Sequence, residues 1–244
     1  MIPDAKESEL LKQGYYNASG TVLKRKDGVK SEQYLQLFLK GHGIIQVSAP
    51  TGAKSRFAGA CEPMTWGNYE LYKSPSRFYV KSAEVKEDFL SIRGNPKKLA
   101  TAVKLYRLIS KTLYREHEND KVLTLLWSSM LLLAEGISPE AVKFRFTWRL
   151  LKYLGIAPSL TNCVRCSAVL DKASPSHDGF LCQKCAAADC RISTEQLSSL
   201  QAAAMLPQDK FTVRAEKETA AGRFNGSNFE KFSEYLETFF ANLG

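Results

Sequence analysis

Residues 163–185 read CVRCSAVLDKASPSHDGFLCQKC. Two Cys-x-x-Cys pairs, Cys163 with Cys166 and Cys182 with Cys185, are separated by 15 residues. Two thiols on each tight turn, at this separation, supply the four soft donors of a tetrahedral zinc site. The intervening Ser174-Pro175-Ser176-His177-Asp178-Gly179-Phe180 can fold back as a short hairpin. Four thiolates close the coordination shell, whereas a catalytic zinc keeps an open position, so the expectation is one structural Zn2+ per chain. The competing readings are a redox dithiol and an empty, degenerate site. Cys190 and His177 are spare donors that rank below the two pairs, and Cys61 reads as a small buried apolar residue. Met1 to Tyr16 mixes Asp4, Lys6, Glu7, Glu9 and Lys12 with few apolar residues. It lacks the apolar core of a secretory signal, so a cytoplasmic protein with reduced thiols is expected.

Upstream of the cysteines the apolar pattern is helical. Asn95 is placed to cap a helix that has Pro96 at its first position. Leu99, Val103, Tyr106, Ile109 and Leu113 form its predicted apolar face. Lys97, Lys104, Arg107, Lys111 and Arg115 fall within roughly a quarter of the circumference on the other side. Such a stripe is either a DNA-facing edge or an ordinary solvated face. Val122–Ala134 is apolar nearly all round and predicts a buried helix, with Asp120 as its cap. Ser138-Pro139-Glu140-Ala141 opens a third helix, in which Arg145, Arg149 and Lys152 run between two apolar stripes. Cations flanked by apolar surface are costly unless paired or reaching water. They suit a groove for an acidic, hydrophobic peptide, or they pair within the fold with Glu135, Glu140 or another acid.

The first third predicts strands. Tyr15–Lys24, Gln33–Leu39, Gly43–Ala49, Thr65–Lys73 and Arg77–Val85 are rich in aromatic and β-branched residues and are separated by turn signals such as Asp27-Gly28 and Gly41-His42-Gly43. Five short strands fit a partly open barrel of the oligonucleotide-binding type, with an SH3-like barrel as competitor. The expected class is therefore α+β, multidomain: a five-stranded OB-fold β-barrel followed by an α-helical domain with an inserted four-cysteine zinc site. In outline this gives an extension over 1–17, the barrel over 18–88, helices over 89–160, the zinc segment over 161–190, and a helical C-terminal part over 191–244.

The net charge is +9, and it is uneven: +4 over residues 1–80, +6 over 81–160 and −1 over 161–244. A polyanion is the natural partner of the first two thirds. Lys24, Arg25, Lys26 and Lys30 flank the first turn, and Lys54, Arg56 and Phe57 occupy a Gly-containing loop. Cations can hold phosphates while Phe57, Tyr34 or Tyr79 stack on bases. The alternative for each lysine is a solvated hairpin, and for Tyr34 and Tyr79 the barrel core. No run of 18 apolar residues is present, so no membrane span is expected.

The order of these features resembles the RecO family of bacterial recombination mediators. The resemblance rests on Gly20-Thr21-Val22-Leu23-Lys24, Leu37-Phe38, His42-Gly43, the basic Lys54-Ser55-Arg56-Phe57-Ala58-Gly59, Pro63, Phe146 to Leu151, and Leu154-Gly155-Ile156-Ala157-Pro158-Ser159-Leu160 leading into Cys163. It covers about residues 18–190. The chain departs from the family's paired arginines before Phe146, where Phe144 stands first and only Arg145 remains. The basic loop is also short. The resemblance implies a non-enzymatic protein that binds single- and double-stranded DNA without sequence preference and anneals complementary strands. With RecR it would help load RecA onto DNA coated by the single-strand-binding protein SSB. The acidic, Phe-ending SSB tail would dock on the helical domain, for which Arg145, Arg149 and Lys152 are the candidates. Lys24, Arg25, Lys26, Lys30, Lys54, Arg56, Phe57, Lys104, Arg107 and Lys111 are the candidates for DNA, in a nucleoid-associated setting. Two other classes stay open: a zinc-stabilised adapter that contacts only proteins, and a nucleic-acid-modifying enzyme. Against the enzyme, the sequence has neither a deaminase-type His-x-Glu with Pro-Cys-x-x-Cys nor a Walker phosphate loop.

Overall fold

The computed structural model describes residues 12–28, 32–50, 57–114, 117–187, 190–220 and 226–243. Five strands, β1 (Gly14–Asp27), β2 (Glu32–Leu39), β3 (Gly43–Pro50), β4 (Trp66–Lys73) and β5 (Phe78–Glu87), correspond to the five predicted runs. They form a closed barrel in the order β1-β2-β3-β5-β4. β3 and β5 pair in parallel through Val47–Phe78 and Ser48–Tyr79, and the other pairs are antiparallel. Period-two alternation turns Leu35, Leu37, Leu39, Ile45, Val47, Leu71 and Val80 into one interior. β1 runs further than its apolar residues suggest because it serves two neighbours: Gly14–Thr21 pairs with β4 and Gly20–Asp27 with β2. At the shared position a Cβ on Gly20 would lie 2.0 Å from the Phe38 carbonyl oxygen. Gly43, with φ +67°, follows the β2–β3 turn, and a Cβ there would meet the His117 carbonyl oxygen at 2.0 Å.

After the barrel come α1 (Leu90–Arg93), α2 (Pro96–Thr112), α3 (Asp120–Ala134), α4 (Pro139–Tyr153), the hairpin β6 (Ser174–Ser176) and β7 (Gly179–Leu181), α5 (Thr194–Met205), α6 (Gln208–Ala220) and α7 (Gly226–Glu237). The chain divides into two compact units, residues 1–127 and 128–244. The first includes the barrel, α1, α2 and the opening half of α3.

In the first unit Asn95 caps α2 as expected, its side chain accepting from the N–H groups of Lys97 and Lys98. The buried face differs from the predicted one. Ala102, Leu105, Tyr106 and Ile109 are buried, Leu99 and Leu113 are half-buried, and Val103 is exposed. The buried face centres on Ala102, Leu105 and Ile109, with Tyr106 at one edge and Val103 beyond it. The Tyr106 hydroxyl accepts from Trp66 Nε1 at 2.9 Å and shares a hydrogen bond with Thr21 Oγ1 at 2.9 Å. Trp66 packs on Trp127 of α3 with ring centroids 4.8 Å apart. Asp120 is the first residue of α3, one beyond the capping position at Asn119, whose carbonyl accepts from the Leu123 N–H. The Asp120 side chain accepts instead from the Gly41 N–H at 2.8 Å, tying the β2–β3 turn.

In the second unit Ser138 caps α4, accepting from the Ala141 N–H. α4 packs against α7 through Phe144 and Phe229, ring centroids 5.6 Å apart, and through the buried Lys143, which meets Glu237 at 2.8 Å. Phe180 of β7 is fully buried beside Phe232 and Tyr235 of α7. The Tyr235 hydroxyl reaches the carbonyl oxygens of Ser176 and Gly179 at 2.9 and 3.0 Å, closing the hairpin between the cysteine pairs.

Candidate metal centre and nucleic-acid interface

The sulfurs of Cys163, Cys166, Cys182 and Cys185 all lie within 4.8 Å of one another. Cys166 and Cys182 are 3.6 Å apart, near the edge of about 3.8 Å that four metal–sulfur bonds in a tetrahedron require. Each pair sits on a tight turn. The Ser167 N–H donates to the Cys163 carbonyl and the Ala186 N–H to the Cys182 carbonyl, both at 2.9 Å. Ser167 and Ala187 take left-handed conformations, φ +59° and +50°, to complete those turns. The Val164 N–H donates to the Phe180 carbonyl at 2.9 Å and so brings the first pair to the hairpin that leads into the second.

Backbone groups of Cys182, then of Cys166 and Arg165, pull the Cys163 thiol down to about 6. The Cys185 backbone likewise lowers Cys182. The Cys185 thiol is pushed up to about 12 by its sulfur neighbours, Cys166 first. Crowded sulfurs resist losing their last proton, and a bound dication removes that resistance. The donor set therefore fits a thiophilic metal ion. His177 is exposed and bonded to Asp178 at 2.8 Å, and Cys190 lies outside the four-sulfur group. Cys61 is buried, and burial raises its thiol to about 11.

Of the expected DNA-contacting residues, Lys24, Arg25 and Lys26 are exposed. A bulge between Val22 and Lys24 breaks the alternation, and beyond it β1 and β2 continue as a ribbon with Lys26 opposite Tyr34. Arg25 pairs with Glu62, whereas among the described residues no acid pairs with Lys24 or Lys26. Lys30, Lys54 and Arg56 lie outside the described residues, as does Arg115 of the predicted stripe. Phe57 is partly buried and packs against the barrel core. Tyr34 is 41% exposed rather than core. Tyr79 is half-buried, with Lys81 Nζ at 5.9 Å and the Arg77 guanidinium at 6.0 Å from its ring. Sequence reasoning passed over Tyr15, Tyr72, Arg77 and Lys81. The signal that reveals Tyr15, Tyr72 and Lys81 is strand alternation, which sends them outward, while Arg77 lies in the turn just before β5.

Lys104, Arg107 and Lys111 are exposed on α2, and no acid among the described residues pairs with them. The strip on α4 has another fate. Arg145 is only 4% exposed, and its Nη1 donates to the Ala203 carbonyl at 2.6 Å with the guanidinium over the Phe211 ring at 4.7 Å. Arg149 donates to the carbonyls of Ala204 and Leu206 at 2.9 and 2.7 Å. Burial, and then the neighbouring Arg149, lowers Arg145 to about 10. Both side chains thus cap the C-terminal end of α5, where carbonyl oxygens lack helical partners. Their partners are neither Glu135 nor Glu140 but backbone carbonyls, which the sequence pattern does not display. Lys152 alone of the three is exposed, with Nζ 5.3 Å from the Trp148 ring centroid.

No helix among the described residues is long and apolar enough to cross a membrane. The family model described as recombination protein O, C terminal, matches residues 93–224. A DNA repair protein RecO from Desulforamulus reducens is 30% identical over 183 residues, spanning 72% of this chain and 71% of that protein. One from Exiguobacterium sibiricum is 31% identical over 172 residues, 68% of this chain and 69% of its own length. One from Alkaliphilus metalliredigens is 27% identical over 172 residues, 68% and 70% of the two chains. With a barrel ahead of helices, a four-sulfur cluster and a family match across more than half its length, the chain belongs to the RecO family of DNA repair and recombination proteins.

Proposed function

We propose that the protein is a recombination mediator that acts by binding and makes or breaks no covalent bond. It grips single- and double-stranded DNA without sequence preference, anneals complementary strands and, with RecR, helps load RecA onto SSB-coated DNA. The barrel, whose strands run from Gly14 to Glu87 rather than starting at residue 18, serves as an oligonucleotide-binding fold. One Zn2+ held by Cys163, Cys166, Cys182 and Cys185 fastens the two turns of the 161–190 segment and supplies no chemistry beyond that bracing. The protein works in the cytoplasm beside the nucleoid. The observation that carries the reading is the exposed α2 stripe of Lys104, Arg107 and Lys111, unpaired with any acid among the described residues, on a chain of this family. Lys24 and Lys26 on the β1–β2 ribbon add a second set of cations. For the acidic SSB tail, Lys152 over Trp148 is the anchor on the second unit, while Arg145 and Arg149 hold the end of α5.

Annealing of complementary strands coated with SSB tests this directly. Purified protein should speed the reaction, its DNA affinity should fall steeply with salt as counterions are displaced, and metal analysis should give one zinc per chain. A zinc-loaded protein that ignores oligonucleotides in dilute buffer would instead be an adapter between proteins.

A further inference from the structure

We infer that the outer face of β1, β4 and β5 is a stacking platform for the unpaired bases of single-stranded nucleic acid, which deepens the DNA-binding reading above and rests on it. The register places Tyr15 opposite Tyr72 and Tyr72 opposite Tyr79. Residues opposite one another on neighbouring strands share a face. Tyr16, Leu71, Phe78 and Val80, the alternating neighbours, belong to the barrel interior, so these three tyrosines point outward. Tyr15 is 65% exposed and lies 5.1 Å from Tyr72, ring centre to ring centre. Lys81 Nζ stands 5.4 Å from the Tyr72 ring and 5.9 Å from Tyr79, and Arg77 stands 6.0 Å from Tyr79.

The row continues around the barrel. Ser48 pairs with Tyr79 and with Tyr34, and Tyr34 pairs with Lys26. Three adjacent rings thus stand together with Lys81 beside them and Arg77, itself 4.0 Å from Glu32, at their end, while Tyr34 and Lys26 follow beyond the buried Ser48. Ring faces for bases and positive charge for phosphates are what single strands require. Further along, the same face carries Glu70 and Glu84, the latter paired with Lys86 at 2.8 Å, so the tyrosine end is the more favourable for a phosphate chain. Base pairs within a duplex already stack on one another and offer no free face, so this platform selects unpaired bases.

The test uses the full-length protein and fluorescence anisotropy, with an unstructured oligothymidine and a hairpin duplex of equal charge as probes. A Tyr15→Leu/Tyr79→Leu double variant should bind the strand about tenfold or more weakly and the duplex as before. Its salt dependence should stay unchanged, since no cation is removed. Phe at the same positions should restore strand binding, because the ring rather than the hydroxyl is used. Should the Leu variant fold poorly, Tyr79→Trp gives an independent readout. Its emission should be quenched by oligothymidine and not by the duplex or by polyglutamate. Unchanged strand affinity in a folded Leu variant, equal losses on strand and duplex, or equal quenching by polyglutamate would overturn the platform while leaving DNA binding in place. Wild-type protein that binds neither probe in dilute buffer would overturn the DNA-binding reading and the platform together.

Discussion

Helices α2 and α4 carry the same kind of pattern, cations recurring every three or four residues, and the fold uses them in opposite ways. On α2, Lys104, Arg107 and Lys111 stand in solvent. On α4, Arg145 and Arg149 are drawn in to hold the carbonyls of Ala203, Ala204 and Leu206. The difference lies in what flanks them. The α2 stripe has one apolar face on the far side of the helix, so its cations keep their hydration. The α4 cations have buried residues on both sides, among them Phe144, Phe146 and Trp148. A guanidinium so placed must find fixed acceptors, and its planar fork of donors suits carbonyl oxygens at a helix end. Charge periodicity alone therefore does not identify a surface; its apolar flanks do.

The comparison can be broken most forcefully at Arg145. Arg145→Glu sets a carboxylate against carbonyl oxygens, and urea unfolding should show a loss of about 3–5 kcal/mol. A variant as stable as wild type would mean that the guanidinium is not structural, and would return it to the surface class with α2. Arg149→Ala leaves two carbonyls short of a donor in a half-buried setting and should cost about 1–3 kcal/mol. Within the first unit, Tyr106→Phe should cost about 1–2 kcal/mol, because Trp66 Nε1 loses its acceptor. The Lys104→Glu/Arg107→Glu/Lys111→Glu variant sharpens the contrast from the other side. Its stability should move by no more than about 0.5 kcal/mol for each substitution. Its DNA affinity should drop, and the salt slope should fall by about one for each phosphate that is no longer held. A large stability loss there, with DNA binding intact, would reverse the assignment of the two helices.

Much of this was readable in the residues. The five strands announce themselves because the barrel has one interior, so alternation and turn residues agree. The cysteine cluster is equally legible, since two short motifs fix four donors whatever the fold around them. Asn95 and Ser138 act as caps for reasons local to their own helices. What failed to show was long-range. Val103 fits an apolar stripe as well as Leu105 does, and which of them is buried depends on the strands that the helix meets, not on its own sequence. The carbonyl partner of Arg145 lies 58 residues away and leaves no trace in side-chain chemistry. Tyr34, by contrast, reads as core only by its type; local alternation with the interior Leu35 and Leu37 turns it out.

One strand has a kinetic consequence. β1 is the first element of the barrel in chain order, yet about half of its ladder belongs to β4, so Thr21 is partnered by both Phe38 and Trp66. A meander of β1, β2 and β3 alone leaves that edge open, and closure must wait for a strand about forty residues further along. Loop entropy is spent before those pairings give anything back, which places the barrel among high-contact-order folds. Assembly of this unit should then be a single cooperative step gated by the β1–β4 seam, and substitutions along that seam should slow refolding more than those in the β2–β3 hairpin.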